Sequence, residues 1–528
     1  AVTDFIKTSL GPFGRDKLVV DKHGLLWATS NGFTIFRRIE VQHPMAGLLL
    51  GAALFTHKEM GDGAKSVIIY AGEILKHCES LLKLGLHPSI LVEGVNEAID
   101  KSLSILSELA ENVNLEDKEI LEKIVMQTFP AKFSEEERRH LAKLVVEAAL
   151  KVAEKKNGRY YFDFKRVEVK KAPGGSILDS QLVEGLAFLK EIPNIHMPKR
   201  LENVKIAVLE DELRLKTRGR TRDQEHSLII EGPEGLKIPK RVKTEILGEM
   251  VERLVRTGAK VILVEKGVDD LVLEHLARLG ILVIRRFSTY EMENVALAVG
   301  ARLVSIDFLS EQDLGEAKLV EERIIGERPW WFIEGCKNAR CVTILVRGGL
   351  EQALNEAEQA VSDGLRVLSS LFKNPRVLPG GGAVEAELAV RLKKWSREFK
   401  GKEQLVIERF ANALEAVPYL LAENAGMDSL SCLVELRSRH VKGEKRAGIE
   451  AFNRRIEDMF KAEVYEVLPI KEQIFHTVRE FVTLILRVDG FIMGRKLTKP
   501  EYYRKKREKG MAPEKLREIK RDYGIDWV

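Results

Sequence analysis

Gly61-Asp62-Gly63-Ala64-Lys65-Ser66 is the stretch on which the reading of the chain turns. It runs directly into Val67-Ile68-Ile69-Tyr70-Ala71-Gly72, which is apolar and suited to a helix. Glycines on either side of the aspartate let backbone approach a phosphate closely. The free N–H groups of a helix's first turn then point at an anion, and the helix dipole favours it. Asp62 would repel a phosphate, so it needs a metal ion between them. A plainer alternative is an ordinary loop with Asp62 as N-cap. A P-loop of the usual kind does not fit, because Ala64 stands where the glycine before the lysine belongs. The hexapeptide gains meaning from what surrounds it.

Composition sets the frame. The chain has 528 residues, too many for one core, and should divide into about three domains. Charged residues are abundant and the net charge is only +5, so no general polyanion partner is implied. The four cysteines, Cys78, Cys336, Cys341 and Cys432, are scattered without metal-ligand spacing, which points to a reducing, cytoplasmic compartment. No apolar run is long enough to cross a membrane, and no signal peptide is visible. The chain opens on Ala1-Val2-Thr3-Asp4-Phe5-Ile6-Lys7, as if in mid-helix, so a preceding segment is expected.

Outward from the hexapeptide, residues 43–112 read as helical and residues 1–10 as the end of a helix. Between them, Gly11-Pro12-Phe13-Gly14 is a loop. Leu18-Val19-Val20, Leu25-Leu26-Trp27-Ala28 and Thr34-Ile35-Phe36 read as short strands, with Asn31-Gly32 as a turn. From Val204 strands and helices alternate, which is α/β layering. Residues 215–244 break that alternation with Gly232-Pro233 and Ile238-Pro239 and read as a protrusion. Its apolar residues Leu228, Ile229, Ile230, Leu236 and Ile238 cannot build a core of their own and are candidate client contacts. Pro379-Gly380-Gly381-Gly382-Ala383 is a second glycine cluster opening a helix, and Leu484-Ile485-Leu486-Arg487-Val488 reads as a strand. The basic tail 496–528 interleaves Glu501, Glu508, Glu514 and Glu518, which argues for a solvated helix and against nucleic acid. Trp330-Trp331-Phe332 suits a buried strand better than a binding patch.

Four separated pieces now fall in order: Gly11-Pro12 with Gly14 and Asp16-Lys17, then Gly61-Asp62-Gly63, then Arg347-Gly348-Gly349 followed by Asp363, then the cluster at Gly380. Together with His43-Pro44, Met197-Pro198-Lys199-Arg200, Leu421–Gly426 and Leu486–Asp489, they resemble the group II chaperonins, the thermosome and the cytosolic eukaryotic chaperonin. The resemblance covers nearly the whole chain.

It implies a multidomain α+β fold. A mostly α-helical equatorial domain comes from residues 1–116 and 377–528. A small intermediate domain is crossed twice, at 117–182 and 339–376. An α/β apical domain spans 183–338, with the protrusion at 215–244 in the place of the family's built-in lid. It also implies ATP and magnesium in the equatorial domain, other chaperonin subunits as ring partners, and unfolded proteins as clients.

Leu10-Gly11-Pro12 and Gly14 match the loop that wraps the phosphates, and Gly61, Gly63, Ala64, Lys65 and Ser66 the GDG loop. Asp62 matches the magnesium-binding aspartate, and Asp363 the one that polarises the attacking water. Gly381 and Gly382 match the glycines under the nucleoside, and Glu466 the acid near the ribose. Lys132 stands near a lysine that senses the γ-phosphate, though Phe129-Pro130-Ala131 departs from the usual polar turn.

Departures cluster at the same place. Where the family reads G-D-G-T-T, Ala64-Lys65 replaces both threonines and their hydroxyl donors. Each such hydrogen bond contributes roughly 0.5–1.5 kcal/mol. Where it reads N-D-G-A-T, this chain has Ser30-Asn31-Gly32-Phe33-Thr34, and an amide at Asn31 cannot act as a base. ATP binding with weakened hydrolysis is expected. The alternative is a chaperonin-derived scaffold without turnover, and an ATPase assay separates the two.

Overall fold

The computed structural model describes residues 2–21, 24–41, 43–156, 159–214, 240–336 and 341–490. Helices from both ends of the chain share one core. Ala64–Lys83 buries Ile68, Ala71, Ile74, Cys78 and Leu81, spaced three or four apart so that they form one stripe. That stripe meets Leu468–Leu486 from the far end of the sequence and Glu403–Leu414. Ile68, Ile99, Phe410 and Phe475 belong to the same buried cluster. An antiparallel sheet ties the ends again, with Arg376–Pro379 between Tyr465–Val467 and Glu111–Asn112.

The middle of the chain builds a separate α/β layer. Its sheet runs in the order Leu282–Arg285, Val261–Val264, Arg200–Leu209, Gly315–Ile325, Arg328–Glu334, Gly185–Leu189. The first three strands are parallel and the rest antiparallel. Val261–Val264 is buried along its whole length, as a central parallel strand must be. Trp330, Trp331 and Phe332 are all buried within Arg328–Glu334. Alternation sends Trp331 to the α/β core and Trp330 and Phe332 to the opposite face, against Ala172 and Leu345.

Between these units lies a three-stranded sheet. Val342–Gly348 pairs in parallel with Val167–Pro173 and antiparallel with Gln181–Val183. The helices Glu135–Val152 and Glu351–Lys373 pack beside it. Glu351–Lys373 reaches from this sheet down to the helical unit, and that reach positions Asp363.

Two expected strands are helical. Thr34-Ile35-Phe36 lies in the helix Gly32–Arg38, because Asn31 is its N-cap: the Asn31 side chain accepts from Thr34 N at 2.9 Å. Asn-Gly here starts a helix where a hairpin turn was expected. Leu484-Ile485-Leu486 continues Leu468–Leu486, whose buried residues Phe475, Val478, Val482 and Leu486 keep helical spacing to the end. Of the expected protrusion 215–244, residues 215–239, with Leu228, Ile229, Ile230, Leu236 and Ile238, lie outside the described residues, as does the basic tail, while 240–244 already belong to the helix Lys240–Arg256. Among the described residues no helix is long and apolar enough to cross a membrane.

Candidate nucleotide site

The GDG loop sits where a helix ends and another begins. Gly61 closes Pro44–Met60 at φ +83°, and Gly63 opens Ala64–Lys83 at φ +91°. Both angles suit glycine. The N-cap is therefore Gly63, not Asp62, and the helix has no side-chain cap. Its first-turn N–H groups are left for an anion. Asp62 is exposed beside them, with Oδ1 accepting from Gly63 N at 2.7 Å.

Packing explains why glycine is needed. A Cβ on Gly61 would stand 2.5 Å from the Asp363 carbonyl oxygen, and one on Gly63 would stand 2.9 Å from Ile474. A Cβ on Gly11 would meet Leu421 at 2.6 Å. Gly382 repeats the arrangement as the uncapped start of Ala383–Ser396 at φ +75°. Gly381 lies against Ile449 and Met459.

Three loops converge through side chains. Lys65 Nζ donates to the Ser9 carbonyl at 2.8 Å and the Ser30 carbonyl at 3.4 Å. Burial lowers the pKa of this ammonium, and the Asp62 carboxylate partly opposes that. Asn31 Nδ2 lies 3.4 Å from Asp363 Oδ2. Asp363 is only 2% exposed, where a helix-surface aspartate would ordinarily be solvated. His57 and Gln359 hold its other oxygen at 2.9 and 2.7 Å. Asn424 Nδ2 donates to the Lys7 and Leu10 carbonyls and so anchors the loop at Leu10. Pro12 is exposed on that loop. Ser66 lies in the first turn of the GDG helix.

The second glycine cluster leads to a buried charge network. Lys471 Nζ bonds Glu385 Oε1 at 2.7 Å and also contacts Glu466, while the Tyr70 hydroxyl donates to Glu385. Burial would raise the Glu385 carboxyl, but the Lys471 ammonium outweighs it and holds the carboxyl below its usual range. Glu466 goes the other way: burial, with help from Glu385 and Asp62, lifts it to about 7 against the pull of Lys471. Its side chain is 32% exposed, yet Oε2, the oxygen that faces Lys471, is buried.

The structure thus gathers Leu10, Gly11, Gly61, Gly63, Ala64, Lys65 and Asp363 around one corner, with Asp62 electrostatically coupled to Glu466. Lys132 forms ion pairs with Glu356, about two turns before Asp363 on the same helix, and with Asp16 at 3.7 Å. His57, Gln359, Asn424, Glu385 and Lys471 were not singled out from the sequence. Gln359 stands four residues before Asp363, which would have flagged it. His57 gives no such signal.

These residues fit ATP with magnesium. The GDG helix offers uncapped N–H groups to phosphate, glycines keep the cradle open, and Asp62 offers hard carboxylate oxygen for the metal.

Comparison with known proteins gives the family. The model of the TCP-1/cpn60 chaperonin family matches residues 2–496. A thermosome subunit of Pyrococcus horikoshii is 39% identical over 516 residues, covering 98% of this chain and 92% of the relative. The thermosome subunit alpha of Aeropyrum pernix is 41% identical over 496 residues, covering 93% and 89%. An open-state monomer of a group II chaperonin from Methanococcoides burtonii superposes with a TM-score of 0.61 at 31% identity, covering 81% of this chain and all of that one. The chain belongs to the TCP-1/cpn60 chaperonin family.

Proposed function

We propose that this chain is a cytoplasmic chaperonin subunit that binds ATP and magnesium between the GDG loop and Asp363, joins a ring, and assists the folding of unfolded proteins. The observation that carries the nucleotide reading is the uncapped, glycine-started helix Ala64–Lys83 with Asp62 exposed at its tip. Asp62 would hold magnesium, and Asp363 would polarise the attacking water. Magnesium supplies charge neutralisation at the phosphates when bound. Glu466 and the Gly381-Gly382 turn would face the nucleoside. Residues 1–116 and 377–528 form the nucleotide domain. Residues 117–182 and 339–376 form the connecting domain, and 183–338 the client-facing domain.

Ring assembly draws support from the hairpin Lys17–Val20 with Leu26–Thr29. Leu18 is 67% exposed and Leu26 64%, on a sheet that has only these two strands among the described residues. Such an apolar edge invites a strand from a neighbouring subunit.

Hydrolysis is expected to be slow. Asn31 replaces a carboxylate, and Lys65 spends its charge on backbone carbonyls. The same observation favours a second reading, a ring scaffold without turnover.

Calorimetric titration with ATP and magnesium tests the site: binding is expected in the wild type and loss of most affinity in Asp62→Ala. Turnover then decides between a slow ATPase and a scaffold. Negative-stain images of the purified protein should show rings, and a monodisperse monomer at micromolar concentration would contradict assembly.

A further inference from the structure

The carboxylate of Asp363 is held unevenly. Oδ1 lies 2.9 Å from His57 Nε2 and 2.7 Å from Gln359 Nε2, with the Arg366 guanidinium at 3.7 Å. Among the described residues Oδ2 has one hydrogen-bond partner, Asn31 Nδ2, at 3.4 Å. That distance is at the weak end of the range. With Asp363 as a carboxylate, which only accepts, His57 Nε2–H is the donor of the short contact. His57 is buried, and the Phe33 ring stacks on it at 4.6 Å and 18° between planes. His57 also lies in the last turn before the GDG loop, where its carbonyl accepts from Gly61 N at 2.7 Å. One residue therefore touches both the loop that would cradle phosphate and the carboxylate that would act on it.

We propose that His57 is a positioning residue for ATP hydrolysis: with Gln359 it pins Oδ1 of Asp363 and so presents Oδ2 to the attacking water. The inference rests on the ATP site proposed above. In the step it serves, the water oxygen bonds to the terminal phosphorus. The bond from that phosphorus to the bridging oxygen breaks, and ADP leaves with the electron pair. The water's proton passes to Oδ2. His57 neither gives nor takes a proton; it keeps the carboxylate from rotating. Phe33, stacked on His57, is the wall that fixes the imidazole plane.

Steady-state ATP turnover tests this alongside the affinities for ADP and for ADP with fluoroaluminate, all with magnesium, on the full chain. His57→Ala should lower kcat by about 10²-fold, the scale of losing reactant alignment. KM and ADP affinity should stay within about 2-fold, since no ground-state contact is removed. The wild type should bind ADP with fluoroaluminate more tightly than ADP, and His57→Ala should lose that preference. His57→Gln keeps an N–H donor and should restore most of both. Phe33→Leu, which leaves His57 in place, should give an intermediate fall in kcat and guards against a His57→Ala that fails to fold. If turnover is too slow to measure, the fluoroaluminate preference decides. An unchanged preference in His57→Ala, a His57→Gln no better than alanine, or a wild type that binds ADP without any preference overturns the inference. Failure of the wild type to bind any adenine nucleotide overturns the site itself.

Discussion

The Lys65 ammonium donates to the Ser9 carbonyl at 2.8 Å and so ties the GDG helix to the first glycine loop. Its stem also runs beneath Gly32, where a Cβ would stand 2.7 Å from Lys65 Cγ. Lys65 is thus a tie between three loops. Lys65→Met should leave the Ser9 and Ser30 carbonyls without this donor and destabilise the protein by about 1–3 kcal/mol. Thermal denaturation reads the loss, and an unchanged melting temperature would show that the tie contributes nothing.

Gly61→Ala tests the cradle. The substitution puts a Cβ 2.5 Å from the Asp363 carbonyl and 2.7 Å from Arg366 Cβ, at φ +83°. Backbone must shift, at a cost of about 1–3 kcal/mol. The shift would move the helix that carries Asp363, so nucleotide affinity should fall along with melting temperature. Gly426→Ala provides the comparison, since its φ is +74° with open space around it: strain without collision.

How far the sequence could be read depends on the range of each contact. Glycine loops and helical spacing are local, so Gly61–Gly63, Gly381-Gly382 and the helical pattern over 43–112 were legible. Asn31 was read as a turn residue because Asn-Gly serves hairpins and caps alike, and only the bond to Thr34 N decides. The run ending at Leu486 is β-like in composition but helical in spacing, and burial against the GDG helix settles it. Burial of Asp363 and its contact with His57 join residues 306 positions apart, and no local pattern encodes that.

The buried network predicts asymmetry between single and double changes. Lys471→Met strands Glu385 in the core without its cation and should cost about 3–5 kcal/mol. Lys471→Met combined with Glu385→Gln should recover part of that loss, because the buried charge at Glu385 is gone and only Glu466 is left without its cation. A double variant no more stable than the single one, in denaturant titrations, would contradict the reading.

Glu466 should make stability pH-dependent in the nucleotide-free protein. Its folded pKa is raised to about 7 from an ordinary 4.5. Between those values the folded state binds more protons, so stability falls as pH rises through the window and levels off above it. Glu466→Gln cannot titrate and should lack that fall. Its melting temperature relative to the wild type should therefore be more favourable at pH 8 than at pH 5. A constant difference across that range would mean that the Glu466 carboxyl is not held neutral.

Asn31 carries the sharpest prediction about chemistry. Its amide carbonyl caps Gly32–Arg38, and its N–H faces Asp363 Oδ2 at 3.4 Å. Asn31→Asp keeps the cap but turns a donor into a second carboxylate beside Asp363. Without metal the two charges repel, so the variant should melt lower than the wild type at pH 8. Magnesium with ATP should relieve the repulsion and raise its melting temperature more than that of the wild type. Adding Ala64→Thr and Lys65→Thr supplies two hydroxyl donors at the phosphate end and releases the Ser9 and Ser30 carbonyls. One pre-organised polar group in such a site is worth on the order of 10²–10³ in rate. The triple variant should therefore turn over ATP at least about 10²-fold faster than the wild type, and Asp363→Ala in that background should abolish the gain. A wild type already as fast as the triple variant would show that Lys65 and Asn31 do the work of the groups they replace.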